Sequence, residues 1–229
     1  MMKAYALVGG PTDLWLHDIK KQLTEAKQNN DLIFGVDRGA LFLEELGIIP
    51  DVAIGDFDSL QAKDLSRIEK TVKDIRYSNP IKDWTDSEIM VQTVFKDYLA
   101  DKLIILGASG GRIDHFLINL LMWLNPSINQ FAQRVEIIDK QNSIVFFNPG
   151  VHIIKKKPDY PYIGFATLSE TEDFNISGAR YDLNDYSSTY PRVFSSNEFL
   201  PNSDYFEISL KKGMIAAIYS KDINRFHNL

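Results

Sequence analysis

Two aspartates flank one aromatic in the segment Ile54-Gly55-Asp56-Phe57-Asp58-Ser59-Leu60. On an extended backbone, residues two apart point the same way, so Asp56 and Asp58 are expected to converge on one cation. Carboxylate oxygens suit Mg²⁺, which keeps several waters and takes one or two carboxylates together with substrate phosphates. The same residue types also suit an ordinary turn, where Asp and Ser are common. A second acidic segment runs Lys82-Asp83-Trp84-Thr85-Asp86-Ser87-Glu88. Thr85 and Glu88 have the spacing of a capping box at a helix start, and Asp86 falls where the helix dipole favours negative charge. A third segment, Leu106-Gly107-Ala108-Ser109-Gly110-Gly111-Arg112-Ile113-Asp114-His115, joins an apolar run to a helical one. Glycines let the backbone approach a ligand closely, a helix N-terminus offers amides to an anion, and Arg112 adds a planar cationic fork. No Gly-Lys-Ser/Thr follows, so this is not a Walker sequence, and it matches the dinucleotide fingerprint poorly. A tight turn with a surface arginine is the competing reading. His115 reads either as a base or as a hydrogen-bonded structural residue. Asn119, four residues on, shares its helical face and is either structural or at the border of a pocket.

These segments need elements to hold them. Through about residue 131 the chain alternates short apolar runs with amphipathic ones. Strands are predicted near residues 4–8, 32–36, 52–55, 74–77 and 103–106. Between them fall helical stretches: one spaced through Trp15, Ile19, Leu23 and Ala26, one over 40–46 with Gly47 as its stop, and one over 62–70. Another begins near Thr85, with Met90, Val91, Val94, Phe95, Tyr98 and Leu99 as a wide apolar stripe. The last runs through Phe116, Leu117, Leu120, Leu121 and Leu124. Strand–helix alternation of this kind predicts a mainly parallel sheet covered by helices, a Rossmann-like α/β arrangement. Ligands of such sheets bind beyond the carboxyl ends of the strands, which gathers Asp37 and all three motif segments on one edge. An acidic cluster beside a glycine–arginine loop suits a metal–nucleotide complex, and makes little sense as packing because unpaired buried carboxylates are costly.

Beyond residues 135–138 the rhythm changes. Short runs at 143–147, 152–154, 163–168, 205–210 and 214–219 are separated by Asn-Pro-Gly, Lys-Pro-Asp, Pro-Asn-Ser and Lys-Lys-Gly turns. They predict an all-β sandwich or roll. The expected division is 1–131 for an α/β domain and 132–229 for a β domain.

The 229 residues carry a net charge of −6, with 45% hydrophobic and 24% charged residues and no cysteine. An acidic chain lacks the electrostatic footprint of a nucleic-acid binder. Disulfides and thiolate metal sites are excluded outright. No apolar stretch approaches the ~20 residues needed to cross a bilayer, and the apolar run at the start is too short for a signal sequence. A cytoplasmic protein without membrane partners is expected.

The motifs resemble those of the thiamine pyrophosphokinase family. The matching stretches are Val8-Gly9-Gly10, Gly35-Val36-Asp37-Arg38-Gly39-Ala40, Gly55-Asp56-Phe57-Asp58-Ser59, Lys82-Asp83-Trp84-Thr85-Asp86 and Gly110-Gly111-Arg112-Ile113-Asp114-His115. The likeness continues into the β half at Ile176-Ser177-Gly178-Ala179-Arg180-Tyr181-Asp182-Leu183 and Ser195-Ser196-Asn197-Glu198-Phe199. It implies a catalytic α/β domain that binds ATP and Mg²⁺, followed by a β-sandwich for thiamine binding and dimerisation. It also implies a homodimer with thiamine between subunits, and transfer of the pyrophosphoryl group of ATP to thiamine with release of AMP. By motif, Asp56, Asp58 and Asp86 are the implied Mg²⁺ ligands, and Arg112 and Asp114 the implied catalytic or ATP-site residues. Asp37, Thr85, Gly110, Gly111 and His115 would line the ATP site. In the β half, Tyr181 falls where relatives place an aromatic on thiamine, a cation suited to an aromatic face, although a core tyrosine is the competing reading. Ser177 and Asn197 are implied ligand contacts. Arg38 stands where many relatives carry glycine. Two alternatives stay open on the motifs alone: an ATP-dependent enzyme acting on another small alcohol, and a non-catalytic thiamine sensor.

Overall fold

The computed structural model describes residues 1–58, 60–78 and 84–222. Ser59, and Lys82 and Asp83 of the second acidic segment, lie outside the described residues. The chain divides into two compact units, Met1–Lys140 and Gln141–Leu229.

In the first unit the elements run β1 (Lys3–Leu7), α1 (Ile19–Gln28), β2 (Leu32–Val36), α2 (Arg38–Glu45), β3 (Val52–Gly55), α3 (Ala62–Thr71), β4 (Asp74–Tyr77), α4 (Asp86–Gln92), β5 (Lys102–Leu106), α5 (Ile113–Leu121) and β6 (Val135–Ile138). The strands lie in the order β6-β5-β1-β2-β3-β4, and every pairing among them is parallel. The chain winds outward from β1 through β4, then crosses back to place β5 on the other side of β1. The strand order therefore reverses between β1 and β5, and a ligand crevice is expected there. Strand side chains alternate between faces. Ile33 joins Leu7, Ile19, Leu23, Phe42, Leu43 and Ile104 in one core, whereas Phe34 meets Tyr98 edge-on at 5.5 Å.

Several sequence expectations change. The compact units divide after Lys140 rather than near residue 131, because Val135–Ile138 pairs in parallel with β5 instead of joining the β half. Trp15 precedes α1 rather than forming its first turn, and its ring packs edge-on to Phe42 at 5.1 Å. After Gln92 the helix continues as a π-helical turn over Thr93–Asp97. The extra residue in that turn ends the expected stripe early: Met90, Val91, Val94 and Phe95 are buried, but Leu99 is exposed. The apolar side of α5 turns outward, with Ile113, Leu117, Ile118 and Leu121 exposed and Asn119 its buried residue.

The second unit is an antiparallel sandwich built from β7 (Asn142–Phe147), β8 (Gly150–Lys155), β9 (Tyr162–Thr167), β10 (Thr171–Ser177), β11 (Leu183–Ser188), β12 (Val193–Asn197), β13 (Tyr205–Leu210) and β14 (Ile215–Ser220). One layer has the order β12-β9-β14-β7 and the other β11-β10-β13-β8. β13 shows why: Phe206, Ile208 and Leu210 are buried, while Tyr205 and Glu207, on the alternate positions, are exposed. Such alternation buries one face of each sheet. Phe165 meets Phe174 at 5.9 Å and Phe206 at 6.0 Å, tying the layers together. Strands β10 to β12 escaped the sequence reading because polar residues crowd them.

Candidate active site

The first unit gathers four carboxylates at the carboxyl ends of its strands. Asp37 follows β2 and begins α2. Its amide donates to the Ile54 carbonyl at 2.8 Å, and its own carbonyl accepts from the Ala40 amide at 3.0 Å. It holds a φ of +48°, a region that few residues other than glycine adopt. Its Oδ1 is buried without a hydrogen-bond partner. Gly55 makes room for it: a Cβ there would lie 2.0 Å from that same oxygen.

Asp56 and Asp58 leave the end of β3, though not on an extended backbone as expected. Phe57 takes a φ of +56°, and Asp56 Oδ1 accepts the Asp58 amide at 3.1 Å. The segment is thus a turn pinned by its aromatic. Phe57 is buried with Ala53, Ile68 and Val72 and meets Tyr77 edge-on at 5.7 Å. Anchoring the middle residue leaves the flanking carboxylates free to face the site.

Asp86 is the first residue of α4. The capping box is formed in full: the Glu88 amide donates to Thr85 Oγ1 at 3.3 Å, and the Thr85 amide donates to Glu88 Oε2 at 2.9 Å. Glu88 also accepts from Asn125 Nδ2 at 3.1 Å. Thr85 and Glu88 are therefore occupied with each other, which leaves Asp86 available.

Asp86, Asp56 and Asp58 lie near enough to bear on the ionisation of Asp37. Burial pushes the Asp37 carboxyl up to about 7, helped first by the neighbouring Asp86 and then by Asp56 and Asp58. Like charges held together oppose ionisation. A cation bound among them relieves that opposition, and hard oxygens suit a small divalent ion. Among the described residues no three His, Asp or Glu side chains are grouped closely enough to enclose a metal by themselves. The set fits an ion that brings waters and phosphate oxygens as its other ligands.

The glycine-rich loop is arranged differently from a bare phosphate cradle. Gly110 has a φ of +78°, and a Cβ on it would lie 2.1 Å from Leu14 Cδ1. The space left by the missing side chain is filled by the segment after β1. Gly111 is less tightly enclosed, a Cβ on it lying 3.2 Å from Pro11 Cγ. Ser109 donates to Asp139, both buried. Arg112 turns its fork onto Asp114, with Nε to Oδ1 at 3.1 Å. That guanidinium holds Asp114 below the usual carboxylate range. Both side chains and His115 are exposed, and the His115 amide donates to Asp114 Oδ1 at 3.1 Å.

In the second unit, Tyr181 and Asn197 come together. Asn197 is buried; its Oδ1 accepts from the Tyr181 and Glu198 amides at 3.1 and 2.8 Å, and its Nδ2 donates to the Tyr181 carbonyl at 2.8 Å. Its amide is thus spent on shaping the loop that carries Tyr181. Asp182 Oδ1 closes that loop by accepting from Gly178 and Ala179 at 2.8 and 3.1 Å. Tyr181 is 57% exposed, which sets aside a core role. Arg180 lies 5.6 Å from the ring and pairs with Glu198 at 2.8 Å. Ser177 ends β10 with its side chain exposed.

Comparison with known proteins agrees with this division. The description "Thiamin pyrophosphokinase, catalytic domain" matches residues 23–137, and "Thiamin pyrophosphokinase, vitamin B1 binding domain" matches residues 151–215. The thiamine pyrophosphokinase of Bacillus subtilis (strain 168) is 34% identical over 225 residues, covering 96% of this chain and all of that protein. The crystal structure of a protein from Lactobacillus plantarum is similar with a TM-score of 0.86 at 33% identity, covering 97% of this chain and 100% of the other. A thiamin pyrophosphokinase family protein from Enterococcus faecalis is similar with a TM-score of 0.85 at 31% identity, covering 96% and 99%.

Proposed function

The chain belongs to the thiamine pyrophosphokinase family, and we propose that Asp37, Asp56, Asp58 and Asp86 form the centre at which its reaction takes place. That reaction is transfer of the pyrophosphoryl group of ATP to thiamine, giving thiamine diphosphate and AMP. The observation carrying the assignment is the buried, unpartnered Asp37 Oδ1 at the end of β2, where burial first, and then Asp86, Asp56 and Asp58, raise the carboxyl to about 7. Such an arrangement costs stability and is understandable where a charged ligand is to be received.

In this reading Asp56, Asp58 and Asp86 would hold Mg²⁺, in part through its waters, and the ion would supply charge neutralisation at the phosphates, while Asp37 and Thr85 line the ATP site. The thiamine hydroxyl oxygen bonds to the β-phosphorus as the bond from that phosphorus to the α–β bridging oxygen breaks. AMP leaves with the bridging oxygen, and the hydroxyl proton passes to a carboxylate, Asp86 or Asp114. Such chemistry depends on positioning and charge stabilisation more than on covalent help. Arg112 exchanges Asp114 for a phosphate, a step eased because an exposed ion pair is weak. Gly110, Gly111 and His115 border that phosphate.

Thiamine is assigned to the loop of the second unit, with Tyr181 offering its exposed face to the cationic ring and Ser177 beside it. Asn197 acts there by holding the Tyr181 backbone. A homodimer with thiamine between subunits and a cytoplasmic location complete the reading; the latter accords with consumption of ATP. Among the described residues no helix is long and apolar enough to cross a membrane.

The test is incubation with ATP, Mg²⁺ and thiamine, assaying AMP and thiamine diphosphate against an Asp58→Asn variant. Equal amounts of both products, abolished in a variant that stays folded, are expected. Undiminished turnover by Asp58→Asn would contradict its assigned role.

A further inference from the structure

We propose that Asn119 is a positioning residue for pyrophosphoryl transfer, holding the turn that carries Asp86 in register with the glycine-rich loop. The inference rests on the reading of Asp86 and that loop as the ATP site.

Asn119 occupies a position where an amphipathic helix normally buries an apolar side chain. It is the buried residue of α5, while Leu117, Ile118 and Leu121 around it are exposed. An unpartnered amide there would be costly, and this one is bonded at both its nitrogen and its oxygen. Asn119 Nδ2 donates to the Ala108 carbonyl at 3.1 Å. Asn119 Oδ1 accepts from Ser87 Oγ at 3.0 Å. The Ala108 carbonyl can only accept, so it dictates which way the amide points, and the Ser87 hydroxyl must then donate. The Asn119 carbonyl in turn accepts from Trp123 Nε1 at 3.0 Å, which steadies the helix from the next turn.

The two groups so joined are distant in the sheet. Ser87 stands next to Asp86 at the start of α4, which follows β4. Ala108 begins the loop that leads to Gly110, Gly111 and Arg112 and follows β5. β1, β2 and β3 lie between those strands. One side-chain amide therefore spans the strand-order reversal and ties the acidic end of the site to its glycine–arginine end. A ligand contacting both requires their separation to be held, and a displacement of about 1 Å can cost on the order of a hundredfold in rate.

The experiment compares Ser87→Ala, Ser87→Thr, Asn119→Ala and the Ser87→Ala/Asn119→Ala double variant, with Asp86→Asn as reference. It measures kcat, KM for ATP and Tm in the intact protein. Ser87→Ala removes only one hydroxyl and keeps the test valid should Asn119→Ala fold poorly. The expected result is a fall in kcat/KM for ATP on the order of tenfold in Ser87→Ala and in Asn119→Ala. The double variant should be no worse than Asn119→Ala alone, because the two act as one unit, and Ser87→Thr should recover the loss. A lowered Tm with kcat and KM for ATP unchanged would make Asn119 merely structural and overturn the inference. Independent, additive losses would overturn it too. An Asp86→Asn variant with full activity would instead overturn the site reading itself.

Discussion

Replacing Asp37 by asparagine should stabilise the metal-free protein at pH 8 and leave it unaltered at pH 4. The carboxyl of an unfolded chain ionises near 3.8, whereas in the fold Asp37 is pushed up to about 7 by burial and by Asp86, Asp56 and Asp58. Between those values the folded chain binds more protons than the unfolded one. Stability therefore falls as pH rises through that window; the penalty is absent below it and complete above it. A gap of about 3 pH units at ~1.4 kcal/mol each sets a ceiling of ~4 kcal/mol. The site is partly open to water and its charges are screened, so ~1–2 kcal/mol is the expected size. For a chain of this length that is a rise in Tm of roughly 2–8 °C. The assay is thermal unfolding of both proteins in chelator at low salt from pH 4 to 8.5. The two curves should coincide at the acid end and separate by pH 8, with the variant more stable. A variant no more stable than the parent at pH 8, or a difference that ignores pH, would refute the crowding argument. Turnover of the variant should fall, since in the proposed site the same charge would face the metal-bound nucleotide.

Gly55→Ala should disturb the site through Asp37, because the added methyl would lie 2.0 Å from its Oδ1 at a φ of +155°. A loss of ~1–3 kcal/mol by urea unfolding is expected, together with reduced AMP release; parent-like values of both would show that the pocket has slack. Thr85→Ala removes the formed capping box and should cost ~1 kcal/mol by denaturant unfolding; an unchanged midpoint would mean α4 is held by its packing alone. Tyr181→Ala should raise KM for thiamine while leaving KM for ATP and Tm near parental values, since the ring is exposed. A matching rise in both KM values would remove Tyr181 from the thiamine contact.

Much of the first unit was legible because its signals are local. Alternation of apolar strands with amphipathic stretches needs only the neighbours of each residue, and the Thr85–Glu88 box formed as its spacing predicts. Gly47 takes the positive φ expected of a helix stop. The β half was readable as short strands between turns, but polar strands such as Leu-Asn-Asp-Tyr-Ser-Ser at 183–188 carry no alternation of their own. They are strands because Phe174 and Tyr186 pair across β10 and β11.

What the chain determined by itself was which carboxylates exist, that each follows a strand, and hence that they share an edge. The tertiary structure decided how they meet. Asp56 and Asp58 turn about a buried Phe57 instead of alternating along a strand, because packing against Ile68 and Val72 outweighs extension of the segment. Asp37 is raised first by burial and then by Asp86, 49 positions away in sequence, a proximity no local pattern encodes. The outward turn of α5 and the bridging role of Asn119 were hidden for the same reason. A sequence states the spacing of apolar residues around a helix, but which side meets the sheet depends on elements that arrive from elsewhere in the chain. The signal that pointed to Asn119 was a single amide within an otherwise apolar helix, and only its partners, Ser87 and Ala108, show what it joins.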